Sequence, residues 1–145
     1  MLVWSATLSR PTMRHLACLL LTLCALPLQA MPLSPAQEAR LAALRTATAA
    51  GAETDPVIIA SWPPARQIAV LQCQPVVARE LQRHYPWVDE VQLGEEGRPL
   101  ALHANTRLTG EGHVQLGGSW HSFSFDCQLD PATGTVSRVT YRMNH

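Results

Sequence analysis

The hydrophobic period of this chain changes once, at Trp87, from helical spacing to strict alternation. Before the change, Ile68 and Leu71 keep helical spacing. Pro75 then lacks a backbone donor, which predicts a kink or a restart. Cys73, Val77, Leu81 and Tyr85 fall on one face, with Val76 and His84 beside them. Arg79, Glu80, Gln82 and Arg83 lie off that stripe, and Pro86 closes the segment. This is the best-defined helix in the chain.

After Trp87, Val91 and Leu93 alternate with polar residues, and Glu95-Glu96-Gly97-Arg98 reads as a turn. Leu100, Leu102, Ala104, Thr106 and Leu108 share one face of a long strand, with a bulge expected at Gly110 or Gly112. Val114 and Leu116 continue the same parity. Gly117-Gly118 is a two-residue hairpin signal. His121, Phe123, Phe125, Cys127 and Leu129 alternate with Ser122, Ser124, Asp126 and Gln128. Asp130 to Gly134 is a turn, and Val139 and Tyr141 share a face of the last strand.

The registers support one another. A Gly117-Gly118 loop pairs Leu116 with Ser119, Val114 with His121 and Leu108 with Cys127. A loop from Asp130 to Gly134 pairs Phe125 with Val139 and Phe123 with Tyr141. Both pairings put the apolar residues on a common side, as a half-buried sheet requires. The helix stripe from Cys73 to Tyr85 is the one able to cover it. The expected fold is therefore α+β: one main helix on a four-stranded antiparallel meander, preceded by a short N-terminal helix.

That first helix starts at Ser34-Pro35-Ala36-Gln37, with a capping serine, a proline at the first helical position and a glutamine to answer the cap. Its apolar face is thin, mainly Leu41 and Leu44, so loose docking and mobility are both open. Gly51 to Pro56 is a linker by composition, and Val57 to Ala60 is too short to assign.

Further upstream, Arg10, Arg14 and His15 precede a leucine-rich run from Leu16 to Leu28. The run is short of the roughly 20 residues that span a bilayer, so it reads as a secretory signal peptide rather than an anchor. Cleavage is expected after Ala30, although Leu28 stands where a small residue is preferred, and Met13 is a candidate start. Neither Cys18 nor Cys24 has the context of an acylation site. The organisation is then a signal peptide over 1–30, a helical and linker segment over 31–63, and an α+β domain over 64–145. The expected compartment is the periplasm or the exterior, with no stable membrane anchor after cleavage.

Removing the leader leaves two of the four cysteines, Cys73 and Cys127. A leader with two remaining cysteines, one on the helix stripe and one on the apolar sheet face, predicts a structural disulfide. A redox pair would need closer spacing and an accessible thiol.

The basic residues are all arginine, and two of them fall in the leader. The remainder is nearly neutral and slightly acidic, which argues against a nucleic-acid partner. The chemistry of enzymes finds little support. His113 and His121 lie across a tight turn but on opposite faces, so they cannot share a metal. The serines of the Gly117-Gly118 hairpin lack a nucleophile elbow. Asp89-Glu90 and Glu95-Glu96 sit in or beside turns, and the glycine pairs lack the following helix a phosphate loop needs. No catalytic residue, metal site or cofactor is expected.

The polar sheet face is more suggestive. The pairing sets Asp126 opposite Thr109 and Arg138, with Arg107 on the diagonal, His113 nearby and Trp120 at the hairpin end. Arg107, His113, Trp120, Asp126 and Arg138 are therefore the candidate binding residues. Cross-strand charge pairs on a solvated face are the ordinary reading. A contact surface for a periplasmic or extracellular protein or small ligand, anchored by Trp120, is the sharper one.

The segment from Trp120 to Val136 resembles the C-terminal part of small secreted domains of Gram-negative bacteria. Those pair an upstream helix cysteine with a strand cysteine ahead of an Asp-x-x-Thr-Gly turn. The likeness covers roughly Cys73 to Tyr141; it implies a periplasmic module and carries over no catalytic residue. A fainter likeness is to PepSY-type domains, which share the Asp-x-x-Thr-Gly-x-Val hairpin and are associated with protease inhibition or regulation. The cysteine pair and the long central hairpin depart from that pattern. The functional expectation is an exported, non-enzymatic binding or interaction module, with a small periplasmic hydrolase as the reading from another class.

Overall fold

Helical periodicity and the proline at position 75 are reconciled by a local widening of the helix. The computed structural model describes residues 31–51, 55–94 and 97–144; the expected leader, with Cys18 and Cys24, lies outside them, as do Glu95 and Glu96. Helices α1 (Pro35–Gly51), α2 (Pro56–Ala60) and α3 (Pro64–Ile68) are followed by a π turn over Ala69–Cys73 and then α4 (Gln74–His84). Within an α-helix the ring of Pro75 would press on the carbonyl four residues earlier. Here the Gln74 amide donates to the Ala69 carbonyl, five residues back, and the rod continues without a break. The π turn also brings Leu71, Gln72 and Cys73, three consecutive residues, into the interior. Val77 and Leu81 follow on the expected stripe, fully buried, with Tyr85 half-buried.

Five antiparallel strands form one sheet: β1 (Val88–Leu93), β2 (Leu100–His103), β3 (Arg107–Leu116), β4 (Ser119–Asp130) and β5 (Thr135–Met143). The order is β1-β3-β4-β5, with β2 pairing the other end of β3. The long strand expected from Leu100 onward is thus a hairpin. It folds back over Ala104, Asn105 and Thr106, where Ala104 takes φ 48° and the Thr106 amide donates to the His103 carbonyl. A left-handed alanine is unusual, and no Gly or Pro marks this turn in the sequence.

The β3–β4 register is the expected one, with Leu116 opposite Ser119, Val114 opposite His121 and Leu108 opposite Cys127. It runs unbroken through Gly110 and Gly112, so neither is a bulge. Gly110 faces Phe125 and Gly112 faces Phe123 instead. A Cβ on Gly112 would lie 2.8 Å from the Phe123 ring and 2.8 Å from the Gln92 carbonyl oxygen. The glycine is there because the phenyl ring already fills its place.

The β4–β5 register departs from expectation by two residues. Phe125 pairs with Tyr141 and Cys127 with Val139, rather than Phe125 with Val139 and Phe123 with Tyr141. The turn is one residue shorter than expected, because Asp130 pairs with Thr135. Continued without interruption, that register would place Arg138 opposite Cys127 in the interior. An extra residue, Ser137, shifts it so that half-buried Val139 takes the inward place and Arg138 faces Gln128 on the polar side. The turn itself is held by Asp130, which accepts from the Ala132 amide and the Thr133 hydroxyl. Those two bonds, the amide first, hold its carboxyl below the ordinary range.

One core gathers all these elements. Leu41, Ile59, Ile68, Val77, Leu81, Leu108, Val114 and Phe123 belong to it, together with Cys73 and Cys127. The two cysteines are joined, with their Cα atoms 6.1 Å apart and no exposure of either residue. The segment before Pro64 is docked. The Ser34 amide donates to Gln37 Oε1 and the Gln37 amide to Ser34 Oγ, the reciprocal cap expected from the sequence. Buried Gln37 also donates from Nε2 to the Asn105 carbonyl, and the Ser34 hydroxyl donates to the Pro131 carbonyl. The start of α1 therefore clamps both the β2–β3 and β4–β5 turns. Gly134 (φ 70°) permits this approach, since a Cβ there would sit 2.5 Å from the Ala36 carbonyl oxygen. The stretch from Val57 to Ala60 is the short helix α2, capped by Asp55, and it buries Ile59.

Candidate functional site

The helices lie on the apolar side of the sheet, so the polar side is left to solvent. Alternation assigns its residues: Thr109, Glu111, His113 and Gln115 from β3, Trp120, Ser122, Ser124 and Asp126 from β4, and Arg138, Thr140 and Arg142 from β5. His103 joins them from β2, and Arg98 reaches in from the loop before it.

The structure brings four of the five candidate residues into two pairs. Arg107 donates from Nε (2.9 Å) and Nη2 (2.5 Å) to Asp126 Oδ2. That hydrogen bond first, and the charge of Asp126 second, hold the guanidinium still more firmly protonated. Asp126 faces Thr109, as expected, but its partner on β5 is Thr140. His113 meets the edge of Trp120, with ring centroids 6.4 Å apart, and its Nε2 lies 3.1 Å from the Arg98 guanidinium. Arg98 in turn donates to Glu111. Arg138 is not brought to Asp126, because the Ser137 bulge carries it opposite Gln128.

A shallow cleft of about 410 Å³ lies over the middle of this face, lined among others by Arg107, Thr109, Asp126, Thr140 and Arg142. Asp126 Oδ1 is buried in the structure and has no hydrogen-bond partner. Among the described residues, the guanidinium groups of Arg138 and Arg142 make no ion pair. The cleft thus offers an unanswered acceptor beside an unanswered cation.

Two residues of this surface escaped the sequence reading. Arg142 lies one residue beyond the last strand position assigned there, and the two-residue register error hid its place beside Ser124. Trp87 is 74% exposed and Trp120 46%. The Trp87 carbonyl accepts from the Gly117 amide, so both tryptophans mark the β3–β4 hairpin end. An aromatic residue directly after Pro86, before alternation begins, was the available signal.

His113 and His121 fall on opposite faces, as the register required. Among the described residues, no three His, Cys, Asp or Glu side chains group in a way that could hold a metal. His103 Nε2 lies 2.9 Å from the Thr109 hydroxyl, and His84 Nδ1 lies 3.1 Å from the Tyr141 hydroxyl. Burial, chiefly, pushes the Tyr141 phenol up. Among the described residues neither histidine is oriented by a carboxylate, the third group that nucleophilic catalysis uses. No described helix is long and apolar enough to cross a membrane. Compared with known protein families, curated proteins and solved structures, the chain matches none.

Proposed function

We propose that this chain is an exported, non-enzymatic interaction module that contacts an acidic protein partner through the polar face of its sheet. The carrying observation is the pairing, in one cleft, of Arg142 without an ion pair and Asp126 Oδ1 without a donor. A partner carboxylate would satisfy the first, and a partner amide or hydroxyl the second. Trp87 and Trp120 at the hairpin end supply rigid apolar area of the kind that anchors protein contacts. The surface is carried by β4, whose Cys127 is stapled to the helical rod, so it is presented with little freedom to lose on binding.

Export rests on the leader pattern together with the disulfide, a bond that persists in oxidising compartments. Mass spectrometry of the periplasmic or secreted fraction should find a chain beginning at Met31 with Cys73 and Cys127 joined. Full-length protein confined to the cytosol, with free thiols, would remove the export reading.

Crosslinking in the periplasm followed by affinity capture should recover one specific protein. With that partner purified, Arg142→Glu and Trp120→Ala should each weaken binding at least about tenfold, or 1.4 kcal/mol, while the melting temperature stays within a few degrees. The affinity should also fall as salt is raised. Unchanged affinity in both variants would show that the partner binds elsewhere.

A further inference from the structure

On the opposite side of the molecule, α1, the π turn, α4 and the start of β5 enclose a second cleft of about 300 Å³. Arg40 and Arg79 line it from two different helices, and no acidic side chain does. Among the described residues neither arginine forms an ion pair. Gln72 lines it as well, only 7% exposed, and its Nε2 is buried without a hydrogen-bond partner. Leu44, Leu71 and Val136 contribute an apolar wall.

A solvated arginine on an exposed helix face is unremarked. A buried amide donor left unanswered is not, because its lost hydration is uncompensated. Gln72 is held there by the π turn, which carries it inward along with Leu71 and Cys73. The result is a concave site with three donors, two of them cationic, over aliphatic carbon. A carboxylate accepts from such donors, and an attached alkyl chain fits the wall.

We propose that this cleft binds a small carboxylate bearing an aliphatic tail, its oxygens taken by Arg40, Arg79 and Gln72 Nε2. The ligand class follows from the donors and the wall together. An inorganic anion would leave the apolar side unused, and a neutral alkyl alcohol would leave the guanidinium groups unanswered.

The probe is octanoate, titrated calorimetrically into the mature, oxidised protein, with acetate, phosphate and 1-octanol as comparators. Octanoate should bind saturably at one site and raise the melting temperature; each comparator should bind at least about tenfold more weakly. Arg40→Gln and Arg79→Gln, both at exposed positions, should each weaken octanoate at least about tenfold. Gln72→Met should weaken it similarly, while the ligand-free melting temperature holds or rises, because the substitution removes an unanswered donor and keeps the shape. Trp120→Ala and Arg142→Glu should leave octanoate binding unchanged, which separates this site from the sheet-face surface. Absence of saturable binding, equal binding of phosphate or acetate, or full affinity in all three cleft variants would overturn the proposal.

Discussion

Replacing both Cys73 and Cys127 by alanine should lower the unfolding free energy by about 4 kcal/mol, read from urea denaturation. The bond closes a loop between residues 54 apart in sequence, and the chain-entropy relation for a loop of that length gives about that figure. Removing a native disulfide from a small domain typically costs roughly 2–5 kcal/mol. Even the lower figure is a large part of the 5–15 kcal/mol that typically separates folded from unfolded domains. Both cysteines lie at the centre of the core, so the loss should appear as reduced stability of the whole domain rather than fraying of one end. A loss below about 1 kcal/mol would mean that packing alone holds the rod on the sheet. The double substitution should also weaken the sheet-face contact, since Asp126 is the direct neighbour of Cys127 on β4.

Phe123→Ala should cost about 3–5 kcal/mol, the range for deleting a fully buried aromatic ring. Phe123 has no exposed area, covers Gly112 across the strand pair and meets Tyr141 edge-on with centroids 6.3 Å apart. The space it leaves faces a glycine, which has no side chain to move into it, so collapse around the cavity is restricted. Thermal or urea unfolding of the variant measures the effect. A cost near 1 kcal/mol would show that Leu93 and Tyr141 close over the gap. The same geometry explains why the glycine pair in β3 is not a weakness: the two phenylalanines opposite supply the missing contact.

Several features were legible because they depend on neighbours in sequence or on a single periodicity. The reciprocal cap of Ser34 and Gln37 spans one helical turn and forms as read. The stripe through Cys73, Val77 and Leu81 needs only helical geometry, and the Gly117-Gly118 turn dictates the β3–β4 register by its length. With side-chain parity known on both sides, the meeting of Cys73 and Cys127 followed, as did the grouping of Arg107 with Asp126.

Other features were invisible because two distant segments had to agree on them. The β4–β5 register combines a short turn with a bulge, and each changes the parity that the other restores, so alternation alone cannot detect the pair. The left-handed turn at Ala104 has no local marker; Asn105 receives a hydrogen bond from buried Gln37, far earlier in the chain. Docking of the first helix likewise looked weak from two leucines, because its polar end does much of the clamping.

By itself, the order of residues determined the α+β class, the faces that the main helix and the sheet bury, and the cysteine pairing, since each follows from periodicity or from counting. Only the folded chain decided which charges lack partners: Arg142 beside Asp126 Oδ1 on one side, and Arg40 and Arg79 beside the Gln72 amide on the other. Whether a polar group is answered depends on every element packed around it, and no local pattern carries that information.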